Sequence, residues 1–187
     1  MLIFLVNEIM LKTITCVFTG NRPIITQQTF YTKSGYKHLL LTISMAAEHN
    51  LERFIIAQEH DYENALAEIK NGKKRSHWMW YIFPQISGLG ITGTSRFYGI
   101  KNLDEAQRYA DHPLLGNRLI EISKELLKLK EEDPLKILGS PDHLKLNSSM
   151  TLFSQVKNAD PIFRQVLEKF FNGTEDIKTL QIIKKLT

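Results

Sequence analysis

Residues 50–72, NLERFIIAQEHDYENALAEIKNG, decide the fold class. Leu51, Phe54, Ile55, Tyr62, Leu66 and Ile69 recur near the 3.6-residue period that gathers side chains onto one stripe of an α-helix. Asn71-Gly72 then supplies two residues that tolerate left-handed geometry and so end a helix. A strand would place its apolar residues at every second position, and this stretch does not.

The same grammar repeats downstream. Asn102 with Glu105 spells an N-cap and N3 pair resembling a capping box, opening a helix through Ala106, Tyr109 and Ala110. Asp133-Pro134, Ser140-Pro141 and Asp160-Pro161 each set a capping residue before a proline suited to the first turn. From Pro113, a helix turns Leu114, Leu115, Leu119, Ile122, Leu126 and Leu129 inward and Lys124, Lys128 and Lys130 to water. Further helices are expected from Pro141 to about Val156, from Pro161 to Phe171 with a stop at Asn172-Gly173, and from about Glu175 to Leu186. No segment after residue 50 alternates as a strand. The expectation is an all-α single domain over residues 47–187, about seven helices in an irregular array with short links.

Residues 1–46 read as a different kind of polypeptide. They show no sustained period of either 2 or 3.6, and no acidic residue occurs between Ile9 and Ala47. We read them as an extension, unstructured or loosely docked, with Met45 as an alternative start. Organelle targeting is the weaker reading, and no basic region or small-residue cleavage site supports a secretory signal.

Composition bounds the function. A hydrophobic share of 43% and a charged share of 24% are those of a globular chain. The apolar runs fall well short of the roughly 20 residues needed to cross a bilayer. A single cysteine, Cys16, permits no intrachain disulfide, which fits a cytoplasmic protein. The net charge of +4 suggests a nucleic-acid partner at first sight. Lys12, Arg22, Lys33 and Lys37 against Glu8 account for most of it, so the body is near neutral and has no global field to steer it onto phosphates.

The unusual chemistry lies in Gly72–Gly90, GKKRSHWMWYIFPQISGLG. Lys73, Lys74, Arg75 and His77 surround Ser76, read as the N-cap of a helix carrying the aromatic run. Cations there oppose the helix dipole, whereas a bound phosphate or carboxylate would satisfy the dipole and the free N–H groups together. The alternative is that Lys73 and Lys74 complement the end of the preceding helix. His77 is a candidate general acid–base, the alternative being a structural hydrogen bond to a carbonyl. Trp78 to Phe83 read first as buried core. Trp78 and Trp80 lie about 200° apart on a helix, so at most one can serve as a platform for a flat ligand.

Gly88, Gly90 and Gly93 spell G-x-G-x-x-G but lack the strand and helix of a dinucleotide site, and they suit a loop bordering a cleft. In Leu138–Phe153, Leu146, Met150 and Phe153 form an apolar stripe. Lys145 and Ser148 share another face, and Asp142 and Ser149 lie near the stripe's edge. No catalytic triad order, metal-ligand spacing or cofactor motif is legible.

These segments carry a resemblance. GKKRSHWMWYIFPQISGLG, RFYGI at Arg96–Ile100 and GSPDHLKLNSSMTLF at Gly139–Phe153 resemble the family catalogued as domain of unknown function 1810. Leu51-Glu52-Arg53-Phe54 with Ala57-Gln58 is similar to the family's opening, and Phe170-Phe171 with Gly173 to its close, over residues 47–185. The resemblance implies an all-α fold and no particular activity; residues 1–44 have no counterpart in it.

The functional expectation is a pocket for a small anionic or nucleotide-like metabolite. Lys73, Arg75, Ser76, one of Trp78 or Trp80, Gln85, Lys145 and Ser149 would hold it. Were the protein an enzyme, His77 would move protons in a metal-independent hydrolytic or transfer reaction. The rival readings are a non-catalytic protein-interaction module docking through exposed aromatics, and, more weakly, RNA binding through Lys73–Arg75. Convergence of Arg75, His77 and Lys145 on one concavity is what the first reading requires.

Overall fold

The computed structural model describes residues 15–16, 25–26 and 51–186. The chain divides into two units at residue 50. In the first, β1 (Thr15–Cys16) and β2 (Ile25–Thr26) pair antiparallel, Thr15 opposite Thr26 and Cys16 opposite Ile25. Otherwise, the readings of residues 1–46 as an extension, a targeting segment or an alternative start lie outside the described residues.

The second unit is all-helical, with nine helices among the described residues. The first, α1 (Glu52–Lys70), buries Phe54, Gln58, Tyr62, Leu66 and Ile69 on one face. It ends where Gly72 takes φ of +67°. One-turn α2 (Met79–Ile82) and five-residue α3 (Gly93–Phe97) follow, then α4 (Leu103–Asp111) and α5 (Leu115–Lys128). Short α6 (Pro134–Leu138) precedes α7 (Asp142–Ser154), α8 (Ile162–Phe171) and α9 (Ile177–Leu186).

Most caps fall where the sequence puts them. Asn102 accepts from the Glu105 N–H at 2.9 Å, although the Glu105 carboxylate turns back to the Lys101 N–H at 2.6 Å, one residue before the usual partner. Asp133 accepts from Leu135 N–H at 2.9 Å with Pro134 at the first helical position. At the end of α8, Asn172 adopts φ of +53° and Gly173 +74°. Two caps differ. Ser140 makes no cap for α7, whose N-terminal flank is Pro141. Asp176, rather than Glu175, opens α9, accepting from the Thr179 hydroxyl at 2.7 Å.

Helix α7 lies at the centre, packing on α4, α6, α8 and α9. Its last two turns are buried on every side, from Ser148 to Phe153. Phe153 stacks between Tyr109 and Phe163, at centroid distances of 5.3 and 5.7 Å, and Phe54 meets Tyr109 edge-on at 5.1 Å. The α4–α5 corner is so tight that a Cβ on Gly116 would fall 1.9 Å from the Ala110 carbonyl oxygen. Among the described residues no helix is long and apolar enough to cross a membrane.

Candidate functional site

The aromatic run does not begin a helix at Ser76. Its hydroxyl donates to Glu68 Oε1 at 2.7 Å and its N–H to Glu68 Oε2 at 3.1 Å, so Ser76 is spent on the preceding helix instead of capping the next. The helical turn starts only at Met79, and Pro84 ends it, holding Phe83 at φ −120° and ψ 71°.

Glu68 is the hub of this turn. Besides Ser76, the Arg75 N–H donates to it at 2.7 Å and the indole N–H of Trp78 at 2.8 Å. Burial alone would raise this carboxyl's pKa. The hydrogen bonds from Arg75, Ser76 and Trp78 outweigh burial and hold it down to about 2. The anion that the cation-rich turn calls for is therefore partly supplied from within, by an acid on the buried face of α1.

Beyond this turn lies a cleft of about 690 Å³, lined by the 74–85 segment, the glycine loop and the start of α7. Arg75, His77, Trp80, Gln85 and Lys145 all line it. The Arg75 and His77 side chains are exposed and make no hydrogen bond or ion pair to the described residues. Lys145 is fixed twice: its ammonium pairs with Asp142 at 2.8 Å and sits 4.0 Å from the Trp80 ring centroid. Lys74 reaches the other oxygen of Asp142 at 2.7 Å, tying the turn to α7. Half-buried, Asp142 would have its pKa raised by desolvation, but the Lys145 and Lys74 contacts prevail and lower it.

The other nominated residues lie elsewhere. Lys73 points away and donates to the Lys136 carbonyl at 2.9 Å. Ser76 is committed to Glu68, and Trp78 is buried with its indole N–H on the same carboxylate, so it offers no platform. Ser149 is buried in the core with its hydroxyl unpaired; the turns of α7 that carry it are covered all round, so no edge of its stripe reaches the cleft. Two charged lining residues, Lys74 and Asp142, are not among those the sequence assigns to the pocket. Asp142 stands three residues before Lys145 on one helix face, and that spacing was the available signal.

The glycine loop closes on itself. Ser87 N–H donates to the Ile100 carbonyl at 2.7 Å and Ile100 N–H to Gln85 at 2.9 Å, joining the loop's ends. Thr92 caps α3 by accepting from Ser95 N–H at 3.1 Å, and a Cβ on Gly90 would meet Ser95 at 2.6 Å. No strand leads into the loop, so its glycines serve a close turn beside the cleft, where Ile91 stands 84% exposed. Among the described residues no three of His, Cys, Asp or Glu gather to hold a metal ion.

With this geometry in view, the chain can be set beside known proteins. Residues 48–183 match the family described as "Protein of unknown function (DUF1810)". The crystal structure of the conserved hypothetical protein Rv1873 from Mycobacterium tuberculosis is similar at 41% identity. The match covers 73% of this chain and 98% of that one, with a TM-score of 0.71. No curated protein matches the chain.

Proposed function

The chain belongs to the DUF1810 family, and on that premise we propose that the cleft beside Arg75 and Lys145 binds a small anionic metabolite. The single observation that supports this most is the pair of uncommitted groups, Arg75 and His77, set at the rim of a cleft whose wall carries a rigidly held Lys145. Three cations, Lys74, Arg75 and Lys145, face one carboxylate, Asp142, so the lining carries an excess of positive charge. A guanidinium with open donors can grip a phosphate or carboxylate in two-point fashion. The volume of about 690 Å³ suits a nucleotide-sized ligand.

Trp80 refines the expectation. Its ring is already met by the Lys145 ammonium, so the ligand's anionic end meets that ammonium, and base stacking is secondary. If the bound molecule is also processed, His77, exposed on the cleft lining, would serve as general acid–base in a metal-independent hydrolysis or transfer. The rival readings have less support. Trp78 is buried, and Trp80 is half-buried beneath Lys145, so a docking module lacks its exposed indoles. The basic run is dispersed, with Lys73 on a carbonyl and Lys74 on Asp142, which leaves RNA little to follow.

A thermal-shift screen of the full chain against nucleotides and sugar phosphates tests the proposal. A ligand that raises Tm for the wild type and not for Arg75→Ala supports it. A melting point that none of them moves removes it.

A further inference from the structure

A second cleft shares no lining residue with the one above. It holds about 360 Å³ and is walled by Tyr81, Phe97 and Tyr98, with Asp61 and Ile56 at its side. The rings stand at steep angles: Phe97 to Tyr98 is 83° at 4.8 Å between centroids, and Tyr81 to Tyr98 is 55° at 5.1 Å. Phe97 is 58% exposed and Ile56 52%. Asp61 is half-buried, and the one partner its carboxylate has among the described residues is the neutral Tyr81 hydroxyl.

We propose that this cleft binds an alkylammonium group, the trimethylammonium head shared by choline-like molecules and by trimethylated lysine. Aromatic faces carry negative quadrupole charge, and several rings set at angles can surround a cation without offering it hydrogen bonds. A quaternary ammonium donates none, so it loses little on leaving water for such walls. A primary ammonium would have to satisfy three donors against one carboxylate that is already shared with Tyr81. Asp61 supplies the compensating charge. Arg53 also borders the cleft, but its guanidinium is paired at 2.7 Å with Glu105, which is fully buried, and lies over the Phe54 ring at 4.2 Å. That cation is neutralised in place. Exposed His60 also borders the cleft, and with its imidazole neutral the charge left facing the cleft is that of Asp61.

The test is an NMR titration of the full chain, at fixed ionic strength, with tetramethylammonium, choline, a trimethyllysine peptide and 3,3-dimethylbutan-1-ol, the uncharged isostere of choline. Saturable shifts of the Tyr and Phe ring signals with tetramethylammonium are expected, about tenfold weaker for the isostere. Asp61→Asn keeps an acceptor for Tyr81 and removes the charge, and Phe97→Ala removes an exposed wall. Each is expected to weaken binding about tenfold. Choline and the peptide are both expected to bind, the tighter one naming the natural source of the group. Absence of saturable binding, equal affinity for the isostere, or unaltered affinity in both variants overturns the proposal. None of these outcomes bears on the anion cleft.

Discussion

The indole N–H of Trp78 donates to the Glu68 carboxylate at 2.8 Å, in a part of the molecule where both residues are buried. That contact joins the helix before the basic turn to the aromatic segment after it, and so sets the position from which Arg75, His77 and Trp80 reach the cleft.

Glu68→Gln puts an amide where Arg75, Ser76 and Trp78 all point donors. All three N–H groups meet one oxygen, Oε2. A Gln carbonyl placed there keeps them only as neutral hydrogen bonds, while its NH2 replaces Oε1 opposite the Ser76 hydroxyl and the Asn64 amide. The expected loss is about 2–3 kcal/mol of unfolding free energy, read by urea denaturation. Trp fluorescence should shift to longer wavelength as the anchor on Trp78 weakens.

The same carboxylate predicts an acid limb to stability. Its folded pKa of about 2 lies below the ordinary value of 4.5, so the folded state favours the charged form. The stabilisation is present above about pH 4.5 and is lost as pH falls towards 2. It amounts to about 3 kcal/mol. Between pH 5 and 2 the wild type should therefore lose stability more steeply than Glu68→Gln, in which position 68 does not titrate. Parallel slopes for the two would contradict the assignment.

Helix grammar was legible because capping and periodicity are local. Asn102, Asp133 and the Asn172-Gly173 stop each act within a few residues of where they stand. The turn at 71–78 was not, because its organiser lies outside it. The sequence presents Lys73, Arg75, Ser76 and Trp78 as donors in search of an anion, and the acceptor is a glutamate in the preceding helix. The signal for it was faint but present: Glu68 occupies the apolar stripe beside Ala65 and Ile69, where an acid must find partners. Lys74 meeting Asp142 across 68 residues of chain had no local signature at all. Ser149 lies in the core because the C-terminal half of α7 is covered all round, whereas the sequence pattern shows a single stripe there.

Gly116→Ala should reverse the usual preference for alanine in a helix, worth roughly 0.5–1 kcal/mol. The added methyl would lie 1.9 Å from the Ala110 carbonyl oxygen, so α4 and α5 must separate. A net destabilisation of about 1–3 kcal/mol is expected, measured by thermal or urea unfolding.

Asp142→Asn removes the one carboxylate from the lining of the anion cleft. Lys74 and Lys145 lose their charged partner at 2.7 and 2.8 Å, and stability should fall by about 1–3 kcal/mol because all three side chains are largely covered. The cleft becomes more positive. Affinity for a phosphate ligand, by calorimetry, should rise or hold; a fall of tenfold would mean that Asp142 positions the two lysines more than it opposes the ligand.

The most direct measurement is a backbone NMR titration of the full chain with the nucleotide or sugar phosphate that shifts its melting point. Perturbations confined to residues 74–85, the loop at 88–95 and the start of α7 at 140–145, absent in Arg75→Ala, are the predicted result. Saturable binding whose perturbations lie on another face, with the Arg75 and Lys145 regions unmoved, would contradict it.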